Sequence, residues 1–231
     1  MIYIWIRRTV SWADDREALA QVTDPGLKVL IPLWNETFSM SYQRFRQRLV
    51  EIATINHSRV AGAVRAPWDE IPDGALVLPV DDDDWFAPYT AEVLDRERLP
   101  DVPAYVWPWH TIEIPVDLPK WLCGTNSYAM AKGPETREQL ASHVAASRWF
   151  WVKLLRGRGT VKRIGRELSV QNRTLNSVST LRTSVHDRAT LLDRYRRYLG
   201  LYRTEPFPGP DWSRPYVEMM AALMQDLEPR A

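Results

Sequence analysis

The sequence predicts an α/β fold, a mostly parallel sheet flanked by helices, with a helical appendage at its C-terminal end. Apolar runs typical of strands alternate with stretches of helical spacing through the first third of the 231 residues. The turn signals Asp24-Pro25-Gly26 and Pro72-Asp73-Gly74 separate these runs. Alternation of this kind favours parallel strands covered by helices.

The first part of the chain contains four predicted strands, over residues 1–8, 27–33, 59–64 and 75–80. A helix is predicted over residues 13–22, and a second begins at Tyr42, where apolar residues recur at helical spacing. Pro79 is unfavourable inside the fourth predicted strand, because proline has no backbone N–H to donate to a neighbouring strand. We therefore expect Pro79 where the strand leaves the sheet.

The second part continues the alternation. Helices are predicted over residues 89–98, 135–155 and 188–199, and strands over residues 105–114 and 122–131. Val217, Met220, Met224 and Leu227 form the apolar stripe of a C-terminal amphipathic helix. The proline-rich residues 204–210 precede it, so we expect one domain over residues 1–203, with residues 204–231 as a linker and a helix packed on it.

Composition narrows the class of protein. No apolar run approaches the roughly 20 residues that cross a bilayer, so no transmembrane segment is expected. The first residues place their charges after the apolar stretch, the reverse of a signal peptide. The single Cys123 fits a reducing compartment. A cytoplasmic protein is expected, and peripheral contact with a membrane stays open.

The net charge of +1 conceals a strong asymmetry. Residues 69–104 hold eleven acidic residues against two arginines, a local charge of −9. Residues 148–203 hold fourteen basic residues against three acidic ones, a local charge of +11. The two segments would suit a metal-bridged ligand that bears phosphates. Two solvated faces that balance each other are the alternative.

Four consecutive aspartates, Asp81 to Asp84, are the most informative feature of the chain. They follow the apolar run over residues 75–80 directly, which places them at the carboxyl end of a predicted strand. Like charges this close repel each other unless a cation neutralises them. Open α/β sheets bind their ligands at this edge. A solvent-exposed acidic loop and a structural calcium site are the alternatives.

The aspartate run and its surroundings resemble the GT-A superfamily of nucleotide-sugar-dependent glycosyltransferases. In that family a Rossmann-like sheet leads to a strand that ends in an Asp-x-Asp motif. Asp81, Asp83, Asp84, Trp85 and Pro88 match the pattern of carboxylates, aromatic residue and proline. The register of Asp82 and Asp84 is equally allowed. Residues 124–132 are similar to the strand that closes the acceptor side of such sites.

The resemblance implies a metal-dependent transfer of a sugar from a nucleotide-diphosphate donor to a glycan or lipid-linked acceptor, as in polysaccharide biosynthesis. Mn²⁺ or Mg²⁺ would be held by Asp81, Asp83 and Asp84, and it would offset charge on the departing diphosphate. Hard oxygen ligands suit these cations. Asp82 is assigned with the cofactor-binding residues.

The basic segment supplies the predicted phosphate contacts. Arg163, Arg166 and Arg173, with Arg182 further along, could close over the diphosphate, because arginine binds phosphate in bidentate fashion. A basic surface that docks a polyanionic acceptor is the alternative. Trp107 and Trp109 could line an acceptor groove, although tryptophans also build cores.

An inverting transfer needs a general base near the acceptor hydroxyl. The resemblance points first to Glu135 and next to His143, with His110 as a further candidate. A helix N-terminus favours glutamate for dipole reasons alone, and a histidine on an amphipathic helix is usually a packing residue. A retaining enzyme would need no such base.

Three other functions compete with sugar transfer. A non-catalytic protein with the same fold would bind nucleotide or glycan without turnover. A sugar-phosphate nucleotidyltransferase would carry a glycine-rich phosphate loop, and residues 1–30 contain none. Nucleic-acid binding through residues 148–203 would require an aromatic-basic recognition motif, which the segment lacks. We therefore expect no nucleic-acid partner.

Overall fold

A computed structural model describes most of the predicted sheet and part of its surroundings. The described residues are 1–7, 42–108, 126–134, 136–141, 161–172, 196, 200, 203–207 and 209–225. The chain divides into two compact units, and the division falls within the first described helix. The first unit comprises residues 1–9, 53–111 and 116–171, and the second comprises residues 10–52, 112–115 and 172–231.

The helices and strands follow the predicted alternation. Within the described residues there are four α-helices: α1 (Tyr42–Ser58), α2 (Thr90–Glu97), α3 (Thr136–Ala141) and α4 (Arg214–Gln225). The strands of the same residues are β1 (Ile2–Arg7), β2 (Ala63–Arg65), β3 (Leu76–Asp81), β4 (Trp85–Phe86), β5 (Ala104–Val106), β6 (Tyr128–Ala131), β7 (Val161–Arg163) and β8 (Ser169–Val170). Short 3₁₀ helices cover Trp68–Glu70 and Asp211–Ser213.

The sheet of the first unit is mostly parallel. Its strand order, within the described residues, is β2-β1-β3-β6-β5-β7, and only β6 runs against its neighbours. β1 lies between β2 and β3 and is parallel to both, so the carboxyl ends of the three strands meet at one edge. These observations confirm an α/β fold with a mostly parallel sheet, flanking helices and a C-terminal helix.

The inner strands β3, β5 and β6 are buried on both faces, as is typical of a sheet covered by helices, whereas the edge strands β2 and β7 are partly exposed. Ile2, Ile4 and Leu78 face one apolar cluster, which includes residues of α2. Val77 and Met130 face the second cluster, on the opposite side of the sheet. Burial on both faces explains why β3 is a continuous apolar run. The aspartates begin where this buried run ends.

The predicted strand over residues 59–64 is wrong in its position. α1 continues to Ser58, and Arg59 and Val60 then donate to the carbonyls of Asn56 and His57. Gly62 follows with a φ of +79°, a conformation that only glycine adopts without strain. The strand therefore begins after this turn, at Ala63.

Pro79 stays inside β3, in register with Trp5. The pairing of β3 with β6 covers only Leu76 and Val77, so it ends before the proline is reached. At Pro79 the strand has therefore left β6, as predicted. It is still paired with β1, and there the prediction is wrong. β3 continues to Asp81, one residue further than predicted.

The second unit contains α4 and the turn that precedes it. Tyr216, Val217 and Met220 are buried, which agrees with the predicted apolar stripe. The Ser213 hydroxyl donates to the Pro210 carbonyl at 2.7 Å and holds the turn at the start of the helix. The predicted elements over residues 13–22 and 27–33 lie outside the described residues. So do residues 142–155 of the predicted helix over 135–155, residues 109–114 and 122–125 of two predicted strands, and most of residues 173–202.

Candidate functional site

The four aspartates form a single turn at the carboxyl end of β3. The backbone N–H of Asp84 donates to the carbonyl of Asp81 at 3.1 Å, which closes a β-turn with Asp82 and Asp83 at its centre. We call residues 81–84 the aspartate turn. Asp81 still belongs to β3 and is the register partner of Arg7 in β1. The turn therefore lies where the neighbouring parallel strand also ends.

The aspartate turn is buried, although it consists of charged residues. Asp82, Asp83 and Asp84 expose 7%, 8% and 2% of their surface, and only Asp81 is partly exposed. This burial excludes the solvent-exposed acidic loop that the sequence left as an alternative. Carboxylates in such surroundings need hydrogen bonds or positive charge to remain ionised.

The last turn of α1 binds the backbone that follows the aspartates. The Asn56 side chain donates to the carbonyl of Phe86 and accepts from its N–H, both at 2.8 Å. The neighbouring His57 contacts the carbonyl of Asp84 through Nε2 at 2.9 Å. Asn56 and His57 are both buried, so these bonds are shielded from water. The helix end thus fixes the exit of the aspartate turn.

His57 is neutral at pH 7. Burial lowers the pKa of His57 from 6.5 to about 4, the hydrogen bond to Asp84 opposes this, and Arg65 adds a further decrease. A carbonyl only accepts, so Nε2 carries the proton and donates. Nδ1 is then an unprotonated nitrogen, and it has no hydrogen-bond partner among the described residues.

A second segment, residues 168–170, holds the other side of the exit. β8 pairs with β4 in an antiparallel manner, with Trp85 opposite Val170. The carbonyl of Leu168 accepts from the Ala87 N–H at 2.8 Å and from the Thr90 hydroxyl at 2.9 Å. The aspartate turn is therefore followed by backbone that is bonded from two distant parts of the chain.

Ser169 is the centre of a buried polar network. Its hydroxyl donates to the carbonyl of Asn126 and accepts from Nε1 of Trp107, both at 2.8 Å. The Asn126 side chain donates to the carbonyl of Val170 at 3.0 Å. The network ties the ends of β5 and β6 to β8, and through β8 to the segment after the aspartates.

The predicted arginines differ in their surroundings. Arg163 is exposed at the end of β7. Arg166 is also exposed, and its guanidinium carbon lies 4.1 Å from the ring centroid of Tyr89, five residues after the aspartate turn. The structure thus brings Arg166 beside the segment that follows the aspartates. Arg173 and Arg182 lie outside the described residues.

The predicted general bases cannot be placed, because Glu135, His143 and His110 all lie outside the described residues. Trp109 lies outside them as well. Trp107 is only 3% exposed, and Trp85 is completely buried. The interpretation of Trp107 as part of an acceptor groove is therefore wrong, because its ring belongs to the core and its N–H is bonded to Ser169.

The carboxylates of the turn fit a hard divalent cation in ligand type. Among the described residues, however, no three His, Cys, Asp or Glu side chains are gathered into a complete metal site. A Mg²⁺ ion is commonly held by one or two carboxylates together with substrate phosphates and water. The aspartate turn fits a site of the latter kind, in which a bound ligand completes the coordination of the metal.

Sequence reasoning missed Asn56 and His57, although a signal was available. Asn56 lies four residues after Ile52 and seven after Leu49, so it falls on the buried face of α1. A polar residue at the end of an apolar stripe indicates a buried hydrogen-bond partner. Ser169 and Asn126 gave no comparable signal, because their partners are distant in sequence.

The comparisons with known proteins add no family to these observations. The sequence matches no protein-family model, and it matches no curated protein significantly. No helix in the described part of the chain is both long and apolar enough to cross a membrane. Any statement about function therefore depends on the geometry of the sheet edge and on the chemistry of its residues.

Proposed function

We propose that the protein is a metal-dependent glycosyltransferase that moves a sugar from a nucleotide-diphosphate donor to a glycan or lipid-linked acceptor. The observation that carries the proposal is the buried aspartate turn at the end of β3. β2 and β3 lie on opposite sides of β1, so the chain order reverses at β1. Ligands of open α/β sheets bind outside the strand ends at such a point.

The aspartate turn gives this edge the chemistry for a diphosphate. Asp81, Asp83 and Asp84 would hold a divalent cation beside the diphosphate of the donor. The bound metal would supply Lewis-acid stabilisation of the leaving diphosphate. This chain's own contribution is to orient the carboxylates, which Asn56 and His57 do by bonding the backbone on the exit side.

Arg166 supports the proposal as a phosphate contact. Its guanidinium is exposed and lies over the Tyr89 ring, a contact that leaves its hydrogen-bond donors available for a phosphate. Glu135 first and His143 next remain the proposed general bases for an inverting transfer. Each must lie within hydrogen-bond reach of the acceptor hydroxyl to act in this way.

The donor site is tested by thermal unfolding with UDP, GDP, CMP, dTDP and their sugars, each with Mn²⁺, Mg²⁺ or EDTA. A ligand that binds the folded state raises the Tm by mass action. We expect one nucleotide to raise the Tm only when metal is present. Asp83→Asn and Asp84→Asn should remove this shift, because each loses a charge at nearly unchanged volume.

Asp101→Asn is the matched control, because Asp101 is an exposed carboxylate outside the turn. Its nucleotide shift should equal that of the wild type. A nucleotide shift that persists in EDTA and in Asp83→Asn would refute the metal site. No shift with any nucleotide would refute the donor site as a whole.

Turnover is tested by release of nucleoside diphosphate in the presence of glycan and lipid-linked acceptors. Glu135→Gln should lower product formation and leave the donor-induced Tm shift intact, and His143→Gln tests the second candidate in the same way. Metal-dependent donor binding without any product would instead favour a non-catalytic nucleotide- or glycan-binding protein.

A further inference from the structure

A cavity lies at the same edge of the sheet, on the other side of β1 from the aspartate turn. Its volume is about 600 Å³, which falls within the roughly 300–1,000 Å³ of small-molecule sites. It is lined by Trp5 and Ile6 near the end of β1, by residues 65–69 after β2, and by Arg137 of α3. We call it the tryptophan pocket.

The position of the tryptophan pocket is typical of ligand sites in this class of fold. Trp5 and Ile6 are near the carboxyl end of β1, and Arg65 is the last residue of the parallel strand β2. The pocket therefore opens where two parallel strands end, outside the sheet. The lining residues that the structure describes all belong to the first unit.

The aromatic wall of the pocket is held in place without a ligand. The rings of Trp5 and Trp68 meet edge to face, with centroids 4.9 Å apart at 62°. Lys132 donates to the carbonyls of Trp68 and Ile71, and its ammonium lies 5.4 Å from the Trp68 ring centroid. Trp68 is buried, whereas Trp5 is partly exposed and offers its ring to the cavity.

The charged residues of the pocket favour an anion. Among the described residues, Arg65 and Arg137 line it, against one carboxylate, that of Asp69. Arg137 lies 3.7 Å from Asp69, but the two side chains are 61% and 83% exposed, and ion pairs this exposed exchange easily. The hydrogen bond from Arg65 to the Thr54 hydroxyl is long, at 3.5 Å. Both guanidiniums can therefore turn to a carboxylate or phosphate.

We propose that the tryptophan pocket binds a small anion that carries a flat ring. The ring packs against Trp5, and its carboxylate or phosphate group lies between Arg65 and Arg137. A flat apolar ring can pack against the aromatic wall, and a single anionic group can pair with the two arginines. This site stands on its own residues and does not depend on the proposed sugar transfer.

The probes for this site are phenyl phosphate and indole-3-acetate, titrated calorimetrically against the full chain. Phenol and indole-3-ethanol are the matched uncharged rings, and inorganic phosphate is the anion without a ring. We expect the ring anion that binds more tightly to bind at least about tenfold more tightly than the uncharged ring that matches it. It should exceed inorganic phosphate by the same factor. The tighter of the two ring anions identifies the ligand as a phosphate ester or a carboxylate.

Substitution of the exposed arginines tests the assignment of residues. Arg65→Gln and Arg137→Gln should each weaken the ring anion about tenfold, whereas Arg96→Gln, an exposed arginine of α2, should leave it unchanged. Trp5→Leu should weaken the charged and uncharged rings alike. The arginine variants keep the test valid if Trp5→Leu fails to fold, because both side chains are exposed.

Four results would overturn the proposal, of which three concern the ring anions and the arginine variants. These are absence of binding by both ring anions at millimolar concentration, equal affinity for charged and uncharged rings, and unchanged affinity in both arginine variants. EDTA and Asp83→Asn should leave ring-anion binding intact. Loss of binding under either condition would assign the ligand to the aspartate turn instead and would also refute the pocket.

Discussion

The aspartate turn and the tryptophan pocket lie on opposite sides of β1, and they hold their charges in opposite ways. Three of the four aspartates are buried, and the backbone after them is bonded by Asn56, His57 and residues 168–170. The arginines of the pocket are exposed, with one loose ion pair. The fold fixes the positions of the buried carboxylates, whereas the exposed guanidiniums can move to contact a ligand.

The comparison predicts that substitutions beside the aspartate turn reduce stability, and that substitutions of the exposed arginines in the pocket change binding alone. Asn56→Ala should have the largest effect. It removes both side-chain bonds to the buried backbone of Phe86, and each buried group left without its bond costs about 1–3 kcal/mol. We expect the free energy of unfolding in urea to fall by roughly 2–6 kcal/mol.

Ser58→Ala serves as the control for Asn56→Ala. It removes a hydroxyl bond to the Ile55 carbonyl at the exposed end of the same helix, so a change within about 0.5 kcal/mol is expected. If Asn56→Ala lost no more stability than Ser58→Ala, the end of α1 would not hold the exit of the turn.

His57 should make stability depend on pH in the absence of metal. Its pKa of about 4 in the folded chain lies below the 6.5 of the unfolded chain, so the unfolded state takes up the proton first as the pH falls. Stability is therefore lost between pH 6.5 and pH 4, by about 3 kcal/mol in total. Urea unfolding across this range in EDTA measures the loss.

His57→Gln keeps a donor for the Asp84 carbonyl and cannot titrate in this range. Its stability profile should be flatter than that of the wild type between pH 4 and pH 6.5. Parallel profiles for the two proteins would show that His57 does not carry this pH dependence.

Ser169→Ala should have an intermediate effect. The substitution leaves Nε1 of Trp107 and the carbonyl of Asn126 without their bonds to the hydroxyl, and we expect a loss of about 1–3 kcal/mol. A double-mutant cycle with Trp107→Phe measures the contact itself. The two losses should be less than additive, and full additivity would contradict a direct bond.

Arg137→Gln should have the smallest effect on stability. Its partner Asp69 is highly exposed, so the free energy of unfolding should change by less than about 0.5 kcal/mol. The same variant should weaken ring-anion binding in the pocket. A large loss of stability without any loss of binding would reverse the distinction between the two regions.

The sequence predicts those parts of the fold whose signals are local. β3 was identified because its apolar run follows the turn at Pro72-Asp73-Gly74, and Gly74 does adopt a φ of +75° there. α1 was identified from its helical spacing. The start of β2 was missed because two further residues, Arg59 and Val60, bond back to the end of α1.

The sequence also predicts that the aspartates follow a strand, but not that they are buried. Their burial depends on segments that meet the turn only in the folded chain, such as His57, 27 residues before Asp84. The role of Trp107 was misread for the same reason, because Ser169, its hydrogen-bond partner, lies 62 residues further along the chain. Contacts of this kind leave no periodic signal in the sequence.

The pairing of β4 with β8 also depends on a segment that is synthesised much later than the aspartate turn. Leu168, which bonds Thr90, is 78 residues further along the chain, and β8 follows it directly. Closure of such a long loop is slow compared with formation of a helix. A nascent chain that ends before Leu168 therefore carries all four aspartates while β4 still lacks its partner strand. The acidic residues are therefore synthesised well before the strand that pairs with the segment after them.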